Sequence, residues 1–556
     1  MSAAKNILGV AMAAVLLAWV PAAVSYAMID GISGTGTSPA FNFAANEGRV
    51  ITGDGNNLLI WGFADLDNPN NPIKGKVQYP GPTLIVNEGD TVTINLTNNL
   101  AEPVSMVFPG LDVVTSTAPV FTHGAKAKLS SIVPEAAPGG SRTYVFAASR
   151  PGTFYYQSGS NQAVQLRMGL FGAIIVRPTQ TTSKAYGIAD LNLQDPAASP
   201  TVPTVVAAKT FTKFAYNEAD VPTTVTVGAS TISNIGASTG YDREFLFLLS
   251  EMDPYFHIWM ELGRDQTKHP VSFGDWIVNT STQKQDFTTW KANYWFINGR
   301  NAPDDMGISF DPNLPNQPYA AMVFFHPGEM ALTRFLNLGR DFHPLHTHGN
   351  HQRIVAEDGL LSTSAPDPLV QAGATGTAAV GADLSTEDFT LTMSAGNTFD
   401  SLFMWTGKGL GWDAYGHKPG TVNALAPYEY IGDHVTNAAP TTLGSQFTLY
   451  GRYDDNQFVP PLPDGTVNPA LAQAAPTNFS PDPLVFTFGQ WFSGSPYLGS
   501  SEPLPPAEVS LNVGGVSYYF MWHSHAEREI INFNTFPGGM LSMAGIIPWS
   551  ITLPAE

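Results

Sequence analysis

The chain has 556 residues, with 26 Lys and Arg against 46 Asp and Glu and a formal net charge of −20. That charge repels phosphates and argues against a nucleic-acid partner, and the absence of cysteine removes disulfides and any thiolate metal ligand. Charged residues at 13 %, with 52 Gly, 44 Pro and 11 % aromatics, suit a large all-β protein with long loops, in roughly two to four domains.

Residues 1–27 read as an export signal. Lys5 gives the positive start, Pro21 ends the apolar segment, and Ser25-Tyr26-Ala27 is a small-x-small cleavage site. Ile7 to Val20 form an apolar run of roughly fourteen residues, shorter than the about twenty of a membrane span. The mature chain is expected to be exported, to the periplasm, the cell surface or the outside, with no integral membrane span.

A first domain is expected over residues 40–178. After Asn87-Glu88-Gly89-Asp90, a turn, Val92, Ile94 and Leu96 alternate with Thr93, Asn95 and Thr97, the pattern of a half-buried strand. Val104 to Pro109, Tyr144 to Phe146, Phe154 to Tyr156 and Met168 to Val176 read as further strands. Residues 179–240, rich in Ala, Thr, Ser and Pro, read as a linker with short strands such as Thr223 to Val227.

A second domain is expected over residues 241–556, with a loop insertion at about 406–483. Its strands are Phe245 to Leu249, Tyr294 to a turn at Gly299, Pro327-Gly328-Glu329 to Asn337, Asp388 to Met393, and Phe399 to Trp405. An internal repeat ties the halves together. Gly89-Asp90 precedes Asn98 as Gly328-Glu329 precedes Asn337, and Phe154 to Gly159 parallels Phe520 to His525. Two copies of one Greek-key sandwich follow from this.

Of 12 histidines, four fall in His343-Pro344-Leu345-His346-Thr347-His348-Gly349-Asn350-His351, and two more in Trp522-His523-Ser524-His525. In a strand, positions i and i+2 share a face. His346 and His348 therefore point one way, as do His523 and His525, while His343 lies on the opposite side. Two such pairs form a metal-site pattern for copper, zinc or another transition metal. His351 is expected at the rim, and His123, in the first-domain stretch Phe121-Thr122-His123-Gly124, is read as a solvent loop histidine, with a replacement ligand as the alternative. With ordinary imidazole pKa values, binding would fail as pH drops through roughly 6.5.

These residues resemble the multicopper oxidase family, built from cupredoxin domains. Tyr79-Pro80-Gly81-Pro82-Thr83 with Gly89-Asp90 is similar to the family's opening, His343 to Gly349 to its third copper motif, and His523-Ser524-His525 to its His-Cys-His motif. The resemblance implies a type 1 copper that takes electrons from a substrate. A cysteine then passes them to three coppers that reduce dioxygen to water.

The sequence departs from that pattern at decisive places. Val107-Phe108-Pro109 and Gln157-Ser158-Gly159 stand where two histidine motifs belong. Ser524 replaces the cysteine, and Glu529 a type 1 histidine. The resemblance leaves His346, His348, His523 and His525 as cluster ligands, with His343, Glu529, Met540 and His351 as weaker candidates. Three readings follow: a binder of one transition metal, copper first; a residual copper-dependent oxidoreductase; or a metal-free surface protein. Catalytic residues, oligomeric state and substrate are not fixed by these patterns.

Overall fold

Alternating burial builds the first pair of sheets. In the strand Thr91–Asn98, Val92, Ile94 and Leu96 are buried and the residues between them face outward. It lies centrally in a five-stranded sheet with Asn57–Asp65, Ala40–Ile51, Ser141–Ala147 and Asp112–Val113. A four-stranded sheet of Ile32–Ser33, Leu84–Asn87, Phe171–Arg177 and Gly152–Gln157 accompanies it.

The second half repeats the plan. A seven-stranded sheet runs through Tyr294–Ile297, Arg243–Met252, Met330–Asn337, Thr398–Met404 and Gln352–Glu357, with Leu360–Leu361 and Thr386–Asp388 at its edge. A five-stranded sheet has the order Val323–Phe325, Leu541–Ile546, Tyr518–Ser524, His343–Thr347, Thr390–Met393. The fold is all-β and cupredoxin-like, as expected. This computed structural model describes residues 29–115, 119–121, 129–179, 183–186, 209–217, 224–227, 230–233, 239–262, 278–279, 284–285, 290–326, 328–349, 351–363, 384–405, 452–454, 457–459, 518–547 and 552–554. The export signal, His123 and most of the 406–483 insertion lie outside them.

The repeat extends to single hydrogen bonds. Asn98 donates from Nδ2 to the carbonyls of Glu102 and Ala136, and its Oδ1 accepts from the Leu100 N–H. Asn337 donates to the carbonyls of Asp341 and Met393 and accepts from the Gly339 N–H. Each amide is thereby satisfied in a buried corner, where an unpaired polar group would cost about 1–3 kcal/mol.

Several expected elements differ. Val104 to Pro109 is no strand, because only Val104 and Val107 make single bridges, to Ala136 and Gln157. Asp388 to Met393 is interrupted at Phe389. Met168 ends a short helix, Gln162–Met168, and the closing strand begins at Phe171. A second helix, Pro254–Glu261, starts where the Asp253 side chain accepts from the Tyr255 and Phe256 N–H groups, with Pro254 in the first turn.

The halves meet through apolar and ionic contacts. Tyr79 packs edge-on against Phe171 and Phe296, at centroid distances of 5.5 and 5.6 Å, and its hydroxyl meets Ser250 Oγ at 3.1 Å. Gly299, at φ +82°, leaves room for the Tyr79 carbonyl, which any Cβ would overlap. Nearby, fully buried Arg334 pairs with Glu244 at 2.6 Å and Asp400 at 3.1 Å. It also donates to Thr153 Oγ1 of the first half, while Tyr216 donates to Asp400 at 2.6 Å. Arg334→Met leaves Asp400 without its buried cation and Glu244 with Arg177 alone, and should cost about 3–5 kcal/mol, read as a lower midpoint in denaturant unfolding.

Candidate metal centre

Strand pairing sets the geometry of this centre. His343–Thr347 runs antiparallel to Tyr518–Ser524, with His346 opposite His523 and Leu345 opposite Ser524. Just beyond the strand end, Gly349 takes φ +95° and its missing Cβ leaves space for the Phe520 ring. Trp522 Nε1 donates to the His348 carbonyl at 3.1 Å, fixing the turn.

Four imidazoles gather as the alternation anticipates. The His346 ring lies 4.9 Å from His348, 5.6 Å from His523 and 4.8 Å from His525, centroid to centroid. His348 and His523 are 5.2 Å apart, and His523 and His525 6.0 Å. His346, His348 and His523 are buried and His525 is half-buried. Their nitrogens do not yet form a ligand set: among the described residues, no group of three or more His, Cys, Asp or Glu is disposed to hold a metal ion.

Hydrogen bonding nonetheless prepares several of these nitrogens. His523 Nδ1 lies 2.7 Å from the Ser524 carbonyl, which accepts only, so Nδ1 carries the proton and Nε2 presents a lone pair. His348 Nε2 sits 3.3 Å from that atom. Two nitrogens of a tetrahedral site with metal–nitrogen bonds of about 2.0–2.1 Å are separated by roughly 3.3–3.4 Å. His346 Nδ1 is held by Thr390 Oγ1 at 2.6 Å, and its Nε2 is buried with no hydrogen-bond partner. This is the pattern of a ring whose outer nitrogen is oriented while its inner nitrogen is kept available.

The electrostatics agree. Burial, then the neighbouring His523 and His525, lower the His346 pKa to about 3. Burial and three neighbouring imidazoles lower His348 to about 2. Burial also lowers His523, partly offset by its bond to the Ser524 carbonyl. All three rings are neutral at physiological pH, the form that coordinates metal.

The weaker candidates lie elsewhere. His351 stacks edge-on with Phe389 at 5.1 Å, and Phe389 in turn with His346 at 5.6 Å, which puts His351 at the rim. His343 lies across the strand, bonded to Glu529 and Glu251 at 3.0 and 2.9 Å. Burial opposes its charge, but those two carboxylates raise its pKa to about 10. Met540 is buried, and its backbone joins Glu529 to Ser524. Thr390 and Glu251 were not legible as partners, since their bonds to the histidines span 44 and 92 residues.

In the first half, Val107 pairs with Gln157, the counterpart of the pairing between His346 and His523. The two positions are side by side, as two histidine motifs would be, but neither offers an imidazole. A three-metal cluster does not fit these residues.

Two sandwiches, one with a histidine face on paired strands, make a cupredoxin-like fold. A family model described as multicopper oxidase matches residues 68–181. Laccase 1 of Metarhizium acridum is 37 % identical over 103 residues, covering 18 % of this chain and 16 % of that protein. L-ascorbate oxidase of Cucurbita pepo var. melopepo is 35 % identical over 110 residues, covering 20 % and 18 %. The matched segment is thus less than a fifth of the length of these curated relatives. The structure of a blue copper oxidase from Nitrosomonas europaea aligns over 91 % of this chain and 85 % of that chain, at 14 % identity and a TM-score of 0.41. Over residues 68–181 the chain is thus similar to the multicopper oxidase family.

Neutral burial makes the cluster sensitive to acid. The unfolded chain protonates these rings below about 6.5, the folded chain only near 3 and 2 for His346 and His348. The unfolded state therefore binds more protons in that window, and their contribution to stability falls as pH drops from about 6.5. His343 acts oppositely: its contribution is complete below about 6.5 and is lost as pH rises through about 10. Chelator-treated protein should melt at lower temperature as pH falls below about 6.5, with a shallower decline in His348→Gln.

Proposed function

We propose that this chain is an exported multicopper-oxidase-like protein that binds one copper ion through His346, His348, His523 and His525. The observation that carries the reading is the gathering of four imidazoles on two paired strands, with the buried Nε2 of His346 left without a partner. Small ring rotations would be needed to bring the nitrogens onto one ion. Neutral nitrogen donors suit copper(II) or zinc, with availability deciding between them.

Bound there, copper would supply one-electron redox and Lewis-acid chemistry. The chain's own residues do the holding. Thr390 and the Ser524 carbonyl orient two rings, and Phe389 with His351 covers one side. Laccase-type four-electron chemistry is proposed to be lost, because Val107 and Gln157 supply no imidazole and Ser524 no thiolate. Export rests on residues 1–27, and the two-domain division on the boundaries read from the sequence. No helix among the described residues is long and apolar enough to cross a membrane.

Copper-loaded wild type should carry one copper per chain and show no intense copper–thiolate absorption, and His346→Ala with His523→Ala should carry none. Equal copper in both proteins would remove the site. Binding should persist down to about pH 5, below the unperturbed imidazole range, because burial keeps the rings neutral. Thr390→Val frees the outer nitrogen of His346 and should weaken copper affinity about 10–100-fold, measured by competition with a chelator.

A further inference from the structure

On the opposite face of the same two strands lies a second cluster, in which His343, Ser524 and Glu529 stand where the resemblance places the family's mononuclear copper and Glu251 joins them from another sheet. Glu251, near the end of Arg243–Met252, turns Oε2 to His343 Nε2 at 2.9 Å. Its Oε1 accepts from the backbone N–H groups of Arg340 and Asp341. A Cβ at Gly339 would overlap this carboxylate, so glycine makes room for it. Glu529, in the 3-10 turn Glu527–Ile530, receives His343 Nδ1 at 3.0 Å and Ser524 Oγ at 2.6 Å on one oxygen. The Ser524 hydroxyl also accepts from the Ala526 N–H. His343 and Ser524 are fully buried, and Glu251 and Glu529 nearly so.

Counting donors decides what this cluster can hold. An ionised carboxylate only accepts, so each ring nitrogen of His343 must carry a hydrogen to make its bond. A ring protonated at both nitrogens has no lone pair for a metal. The Ser524 hydrogen is committed to Glu529, and a hydroxyl that keeps its proton does not replace a thiolate. The groups satisfy one another.

We propose that the mononuclear copper position of the family is, in this chain, a closed ionic lock that takes no metal and fastens three chain segments together. Glu251 comes from the large sheet, His343 from the histidine strand and Glu529 from the 3-10 turn. The lock pins the face of the two strands that lies opposite the imidazole cluster. A slip of one residue there would turn every side chain to the other face.

The test uses the full chain with His343→Gln, Glu529→Gln and Ser524→Cys. After chelation, the first two should melt several degrees below wild type. After loading with copper(II), both should bind as many copper ions as wild type does, whether one or none. Ser524→Cys returns the missing thiol, yet should give no intense copper–thiolate band, because His343 remains tied to both carboxylates. A copper ion lost with His343→Gln, a strong thiolate band in Ser524→Cys, or unchanged melting in both lock variants would overturn the proposal. Should His343→Gln not fold, Glu529→Gln supplies the melting and stoichiometry arms and Ser524→Cys the spectroscopic one. Absence of copper from wild type and variants alike agrees with the lock and counts only against the imidazole site.

Discussion

The antiparallel register of His343–Thr347 with Tyr518–Ser524 is the constraint on which the rest depends. Placing His346 opposite His523 sends four imidazoles to one face, and placing Leu345 opposite Ser524 sends the serine to the other. Two environments of opposite character then share one pair of strands. On one side, burial without counter-charge keeps the rings neutral. On the other, two carboxylates outweigh burial and keep His343 charged. The same residue type takes opposite protonation states because of what faces it, a few ångströms of backbone away.

The halves differ in how much of a site they retain while sharing one frame. Asn98 and Asn337 close equivalent corners with the same set of bonds. Around these corners the neighbouring strands carry unrelated side chains, Val107 with Gln157 in one half and His346 with His523 in the other. What joins the halves is a desolvated network around Arg334, reached by Thr153 from the first half and by Tyr216 from the segment between them.

Much of the fold was readable because its strands are half-buried and alternate: Val92, Ile94 and Leu96 are inward as their spacing requires. The i, i+2 rule also anticipated which histidines share a face. Elements without a periodic signature were missed. Val104 to Pro109 looks apolar enough for a strand but makes only single bridges, and the seven-residue helix Gln162–Met168 is too short for a helical pattern to stand out. At the candidate site, the clustering of the histidines was legible and their hydrogen-bond partners were not. Glu251 and Thr390 meet the histidines only through tertiary folding, and the pKa values near 3 and 2 come from burial that local sequence does not encode.

The matching asparagine corners have a consequence for how such proteins change. Each corner is satisfied by backbone groups and asks nothing of the side chains on the neighbouring strands. The scaffold therefore stays intact whether a given strand position carries histidine, valine or glutamine. Chemistry in this architecture can be removed or rewritten one side chain at a time, without renegotiating the topology that displays it.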